Sequence, residues 1–221
     1  MAHDLRFEPD DGLEALVAGA LASGPGAQET GDDLAPAGSP RLGTGAVTVV
    51  EFADFQCPGC QVFSLQGKAR LMPFIERGQA QLVYYDFPLG GAHVHSFLAA
   101  RAARCAGDQQ IDGQTAYWTM HDKLYQEQPS WSPMRDVVDT FVGYAEEVGL
   151  DRRAFERCLR SDRFADVVTA NRLLGERLGV RSTPTVLINN RQMEARTIQG
   201  MIDQLMGVLR EVVPEAADST P

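Results

Sequence analysis

The chain predicts a mixed α/β fold in which a small sheet is interrupted by a block of helices. Three observations carry that reading. Two apolar, β-rich runs, 46–53 (AVTVVEFA) and 81–87 (QLVYYDF), enclose a stretch of helical spacing, the mark of a βαβ unit. A third run, 185–188 (TVLI), opens a strand, turn, strand and helix ending. Between these halves, residues from about 92 to 178 read as successive helices. The order is therefore βαβ, helices, ββα, with no internal repeat.

Residues 1–38 are an acidic leader. They hold eight of the 30 acids and one of the 20 bases, which leaves 22 acids and 19 bases for residues 39–221. The formal charge of −10 thus shrinks to −3 over the body, and a nucleic-acid partner gains no support. The apolar run 15–27 is too short for a bilayer span, which needs ~20 residues, and it follows acids where a signal peptide carries bases. It reads as a short amphipathic helix capped by Asp10 or Asp11, with Leu13, Leu16, Val17 and Leu21 on one face and Gly24 at its end. Either an export signal has been removed or the protein stays inside the cell. The Gly-, Pro- and acid-rich residues 24–39 follow as a linker, and 214–221 is expected to be a flexible tail.

The main domain is expected over 39–213. Strand 46–53 runs into a helical pattern from Cys57 to about Arg77, with Val62, Phe63, Met72, Phe74 and Ile75 as core positions and a kink at Pro73. Strand 81–87 is closed by Pro88 and Gly90-Gly91. Val94, Phe97, Leu98, Arg101, Ala102 and Cys105 then share one helical face, and helices follow at about 114–127, 134–148, 151–160 and 163–178. Thr185–Ile188 and 192–195 are expected to pair across Asn189, Asn190 and Arg191, before a helix over 198–213. Tyr117, Trp118 and Trp131 are read as core, and His95 as a solvated loop or first-turn residue.

The chemistry sits at VVEFADFQCPGC, where Cys57 and Cys60 enclose only Pro58 and Gly59. Such a pair serves a metal site, a redox dithiol or neither. A structural zinc site needs a second close ligand pair, yet Cys105 and Cys158 stand 53 residues apart and the His93/His95 spacing does not present both from one helical face. No metal is expected. The redox reading has positional support, because the pair follows a buried strand and opens a helix. There Cys57 meets unpaired N–H groups and the helix dipole, which favour the reactive thiolate. Pro58 suits the first helical turn, where its missing N–H costs nothing, and Cys60 lies one turn deeper and more shielded.

Two further features add weight. Glu51, six residues before Cys57 in an apolar strand, is either an exposed strand charge or a buried carboxyl able to relay protons. In Ser182-Thr183-Pro184-Thr185, the proline is either a strand-start residue or a cis-proline turn beside the dithiol, with the Thr183 backbone open to an extended client chain.

Together, VTVVEFADFQCPGC (47–60) and GVRSTPTVLIN (179–189) resemble the thioredoxin superfamily, and within it the DsbA-like thiol oxidoreductases. Such proteins fill the interval between the dithiol and the proline loop with a helical domain. Here that interval is 127 residues, and FPLGGAHVHSFLAARAARCA resembles its start. The resemblance implies a thioredoxin fold with a helical domain inserted between its βαβ and ββα halves. It also implies that Cys57 is the exposed nucleophile, Cys60 the resolving thiol, Pro184 and Thr183 the client-positioning loop, and Glu51 the proton relay. Phe55 and Gln56 are expected on the surface a client meets. Cys105 and Cys158 are either inert core thiols or, as in some DsbA-like proteins, a structural disulfide. That bridge would argue for an oxidising compartment such as the periplasm or cell envelope.

The activity implied is protein thiol–disulfide exchange, most directly oxidation of reduced clients. The DsbA-like pattern further implies reoxidation by a membrane quinone-linked thiol oxidase and no organic or metal cofactor. No separate dimerisation domain is visible in the sequence, so a monomer is expected, although the acidic leader offers a means of association. Pro58-Gly59 lacks the histidine of the strongest oxidases' C-P-H-C, so a reductase or isomerase acting on misoxidised clients stays open, as does a non-enzymatic holdase.

Overall fold

A computed structural model describes residues 39–109 and 114–213. The leader, the short helix expected in it, and the tail from 214 lie outside the described residues. The sheet begins with β1, Arg41–Leu42, and β2, Val47–Ala53. All seven residues of β2 are buried, which is why its sequence is apolar on both faces. A continuous helical stretch follows: α1, Pro58–Val62, a π-helical segment, Phe63–Lys68, and α2, Ala69–Glu76. Strand β3, Ala80–Asp86, then lies parallel to β2, pairing Val49 with Leu82 and Glu51 with Tyr84.

Among the described residues six helical segments separate β3 from the next strand: α3, Ser96–Gly107; α4, Gln114–Gln126; α5, Gln128–Trp131; α6, Val138–Glu147; α7, Arg152–Arg160; and α8, Ala165–Arg177. Strand β4, Thr185–Ile188, returns antiparallel to β2 and pairs with β5, Arg191–Gln192, before α9, Ile198–Val212. The sheet order is β1-β3-β2-β4-β5. This is a thioredoxin fold with helices inserted between its βαβ and ββα halves.

Both faces of the sheet are covered. On one, Phe52 stacks on Tyr85 at 4.8 Å and meets Phe87 edge-on. Helix α8 closes over them at Gly175, where a Cβ would sit 2.6 Å from a Phe87 ring carbon. On the other face, Glu51 and Tyr84 lie beneath α4, whose His121 ring is 4.9 Å from that of Tyr84 and whose Trp118 Nε1 donates to the Arg41 carbonyl at 2.9 Å.

Several expectations change. Strand β1 has no counterpart in the sequence pattern. The helix after Cys57 carries a π-helical segment in addition to Pro73 inside α2. Val94 lies before α3 and is 70% exposed, so it shares no face with Cys105. The β4–β5 turn needs only Asn189 and Asn190, both at positive φ (46° and 65°), because a two-residue turn of this hand matches the strand twist. Arg191 belongs to β5, and the pairing ends by Met193, whose N–H donates to the Val186 carbonyl at 2.8 Å.

Candidate active site

Cys57 occupies the position before the first turn of α1, with extended backbone, and Pro58 supplies that turn without an N–H to satisfy. The Cys57 N–H donates to the Asp54 carbonyl at 3.0 Å, and the Gln61 N–H to the Cys57 carbonyl at 3.1 Å. Both active-site cysteines are thiols. Cys60 is fully buried and Cys57 keeps only 8% of its surface exposed, less than expected, because the Thr183-Pro184 loop covers it. The Thr183–Pro184 bond is cis, and the Thr183 carbonyl accepts from the Cys57 thiol at 3.4 Å. Gly59 completes this fit, since a Cβ there would meet Pro184 Cδ at 3.2 Å.

The two thiols are electrostatically unlike. A hydrogen bond from Cys60 is the main influence bringing Cys57 down to about 5, against the opposing effect of burial. The Thr183 hydroxyl and the N–H groups of Cys60 and Gly59 add to it. The buried Thr183 Oγ1 has no hydrogen-bond partner, so it is free to donate once the sulfur is ionised. Cys60 is pushed far up by burial and by its bond to Cys57, while the Asp54 N–H reaches its sulfur at 3.5 Å. Behind the pair, Glu51 is 1% exposed, and burial raises it to about 8 despite the attraction of Lys68. Its Oε1 has no hydrogen-bond partner.

Phe55 and Gln56 are not where a client would meet them. Phe55 is buried among the rings of Tyr84, Tyr125 and His121. Gln56 is buried too, its Nε2 donating to the Ser132 carbonyl at 3.0 Å and its Oε1 accepting from the His95 N–H at 2.8 Å. His95 is likewise buried, with Nε2 on the Met134 carbonyl at 2.7 Å. These bonds fasten the dithiol to the helical block.

Sequence reasoning missed three supports. Asp54 is buried, its carboxylate accepting from the N–H groups of Gln56 (2.7 Å) and Leu89 (2.8 Å) and lying 2.9 Å from His93 Nδ1. An acid inside FADFQC was a visible signal for it. Gln128 Nε2 donates to the carbonyls of Phe55 (2.7 Å) and Cys57 (3.0 Å), and Lys68 pairs with Asp122 at 2.6 Å; neither had a sequence signal. Away from the site, Cys105 and Cys158 are joined by a disulfide between α3 and α7. Among the described residues no group of three or more His, Cys, Asp or Glu could hold a metal ion, and no helix is long and apolar enough to cross a membrane.

A family model described as Thioredoxin matches residues 43–205. The chain belongs to the thioredoxin family. It is 35% identical over 147 residues to a Na(+)/H(+) antiporter NhaA 1 of Salinispora arenicola, a match that covers 66% of this chain and 20% of that protein. It therefore spans about a fifth of the length of that relative. It is 27% identical over 159 residues to disulfide bond formation protein D of Bacillus subtilis, covering 70% of this chain and 69% of that one. The crystal structure of oxidised BdbD from Bacillus subtilis shares the fold, with a TM-score of 0.67 at 23% identity over 78% of this chain and 91% of that chain.

Proposed function

We propose that this thioredoxin-family chain is a protein thiol–disulfide oxidoreductase of the DsbA-like kind, acting as an oxidase toward reduced client proteins. The observation that carries this is the asymmetry of the dithiol: Cys57 lowered to about 5 at a helix start, Cys60 wholly buried and raised. A thiolate stabilised in the reduced form makes the disulfide form the stronger oxidant.

In the forward reaction a client thiolate attacks the Cys57 sulfur of the Cys57–Cys60 disulfide. The S–S bond breaks, and Cys60 leaves as a thiolate that must be protonated. A second client thiol then attacks the client sulfur of the mixed disulfide and releases Cys57 as a stable thiolate. The client loses two electrons and the dithiol gains them. Glu51, protonated at neutral pH because burial raises it to about 8, is the proton donor to Cys60. The Thr183-Pro184 loop positions the client chain, and the cleft of about 440 Å³ beside it, lined by Ser182, Thr185, Met193 and Met201, gives room for an extended segment. Reoxidation falls to a membrane quinone-linked thiol oxidase, which places the protein outside the cytoplasm. The 39–213 domain works as a unit, with the Cys105–Cys158 bridge as its structural brace.

The deciding experiment is equilibration of Cys57 and Cys60 against a glutathione series, with Cys57→Ser as control. A potential above about −180 mV supports the oxidase, and one near about −270 mV reverses the direction of electron flow. Retained client oxidation in Cys57→Ser removes the reading altogether.

A further inference from the structure

Each catalytic cycle moves a proton onto Cys60 and off again, yet Cys60 is fully buried and Glu51 is 1% exposed. A proton held there needs a route to water. Behind Glu51 lies its β3 partner Tyr84, and against the Tyr84 ring, at 4.9 Å, stands the ring of His121. His121 is fully buried. Its Nδ1 is 2.8 Å from Asp122 Oδ1, and its Nε2 has no hydrogen-bond partner. Asp122 is 37% exposed, so one side of this pair touches water and the other faces the interior.

We infer that His121 and Asp122 are a proton exit that connects buried Glu51 with solvent. The inference rests on the proposed thiol–disulfide chemistry. A carboxylate only accepts, so Asp122 fixes the hydrogen of the neutral ring on Nδ1 and leaves Nε2 as a bare acceptor. Burial holds His121 below its ordinary value, which keeps that acceptor available. Glu51 Oε1 and the Tyr117 hydroxyl are also unpartnered and buried on this side of the sheet, and a water carrying the proton between Glu51 and the ring would take these polar atoms as its partners. The charged and titratable groups facing the ring are Lys68, Tyr84, Asp86, Tyr117, Asp122 and Tyr125, and Lys68 secures Asp122 at 2.6 Å.

The proton balance closes over one cycle. When a client is oxidised, two protons leave its thiols. One reaches water as Cys57 is released as thiolate, and the other replaces, through Asp122 and His121, the proton that Glu51 gave to Cys60. That inward transfer starts from the ring with its hydrogen on Nε2, which the preceding outward transfer leaves behind. Nδ1 takes a proton from Asp122, Nε2 gives its own inward, and the ring is left with the Nδ1 hydrogen of the reduced protein. On reoxidation the Cys60 proton returns outward by the opposite transfer, so the ring ends in the tautomer in which it began. His121 and Asp122 are positioning and relay groups, since neither touches the reacting sulfurs.

The test is reduction of the Cys57–Cys60 disulfide by dithiothreitol, followed by stopped-flow tryptophan fluorescence in H2O and D2O, in wild type, His121→Phe and Asp122→Asn. Phenylalanine keeps the ring packing. The expected result is an exchange rate about tenfold lower in both variants, an order below the ~100-fold that a direct proton donor contributes, with a larger solvent isotope effect. The redox equilibrium and the Cys57 titration should not move. Rates equal to wild type in both variants overturn the proton exit, and so do rates that fall in step with a shifted equilibrium, which marks a packing role. If His121→Phe does not fold, Asp122→Asn at the surface decides alone. A wild-type pair with no reversible exchange would remove the oxidoreductase reading and the proton exit with it.

Discussion

Thr183→Val tests the cause of the low Cys57 titration directly, because it removes one donor and keeps the side-chain volume. In the structure the Thr183 hydroxyl is without a hydrogen-bond partner and lowers Cys57 by donating to the ionised sulfur, while the Thr183 carbonyl, which the variant retains, accepts from the protonated thiol. A hydrogen bond to a charged group contributes about 1.5–3 kcal/mol. The hydroxyl ranks behind the Cys60 thiol, and the sulfur keeps some contact with water, so the low end applies: about 1.5 kcal/mol, or about one pKa unit. Cys57 should therefore titrate about one unit above its wild-type value of about 5.

The sign follows from linkage. A lowered thiol pKa stabilises the reduced protein above that pKa, and the stabilisation is lost as pH falls through it. At about pH 7 both proteins lie above their titration points, so the whole loss is felt, and the Thr183→Val potential should be about 30 mV more negative. In acid, below both pKa values, the two potentials should converge. Thiolate absorbance against pH gives the first quantity and glutathione equilibration the second. A wild-type midpoint near that of a free cysteine, or an unmoved midpoint in Thr183→Val, would falsify the assignment of the Thr183 hydroxyl as a stabiliser of the thiolate.

Three other perturbations have defined outcomes. Glu51 is raised from 4.5 to about 8, so its neutral form contributes stability that is complete below pH 4.5 and is lost as pH rises to about 8. Glu51→Gln should flatten that slope and leave the reduced protein a few kcal/mol more stable than wild type near pH 8, read from urea midpoints; parallel pH profiles would count against a buried Glu51. Gln128→Leu strands the buried Phe55 carbonyl, takes one of two donors from the Cys57 carbonyl, and should cost about 1–3 kcal/mol in the same assay, against no change if water replaces the amide. Replacing Cys105 and Cys158 together by alanine opens a 53-residue loop and should cost about 4 kcal/mol while leaving the Cys57–Cys60 potential in place; a shifted potential would mean the bridge reaches the site.

What the sequence made legible was local. The all-apolar β2 run, the CPGC spacing, the Ser182-Thr183-Pro184 loop and the Asn189-Asn190 turn each follow from a few adjacent residues with strong backbone preferences. The expectation of a client-facing surface failed just past the strand's end: Asp54 accepts from the Gln56 N–H, and Phe55 and Gln56 turn inward. Helical spacing shows which face of α4 or α5 is apolar, but not that His121 lies beside Tyr84 or that Gln128 reaches the Cys57 carbonyl. Those are pairings across 37 and 71 residues, set by how the helical block docks on the sheet. The two-residue β1 is too short to carry any periodicity.

The same docking gives the inserted helices a part in the chemistry. The residues around Glu51 left its burial open, because its own strand places it on a face whose cover lies elsewhere in the chain. That cover includes α4, which lays Trp118, His121 and Tyr125 over Tyr84, the strand partner of Glu51. Burial is the largest cause of the raised Glu51 titration, so the helix that helps bury Glu51 also helps keep its proton in place at neutral pH. Burial of this kind closes the direct path to water, and α4 carries the remedy on the same turn, with His121 inside and Asp122 at the surface. Sealing Glu51 and connecting it to solvent are thus two tasks of one helix, which is why substitutions at His121 and Asp122 should change exchange rates although their hydrogen bonds run to each other and to Lys68, not to the reacting sulfurs.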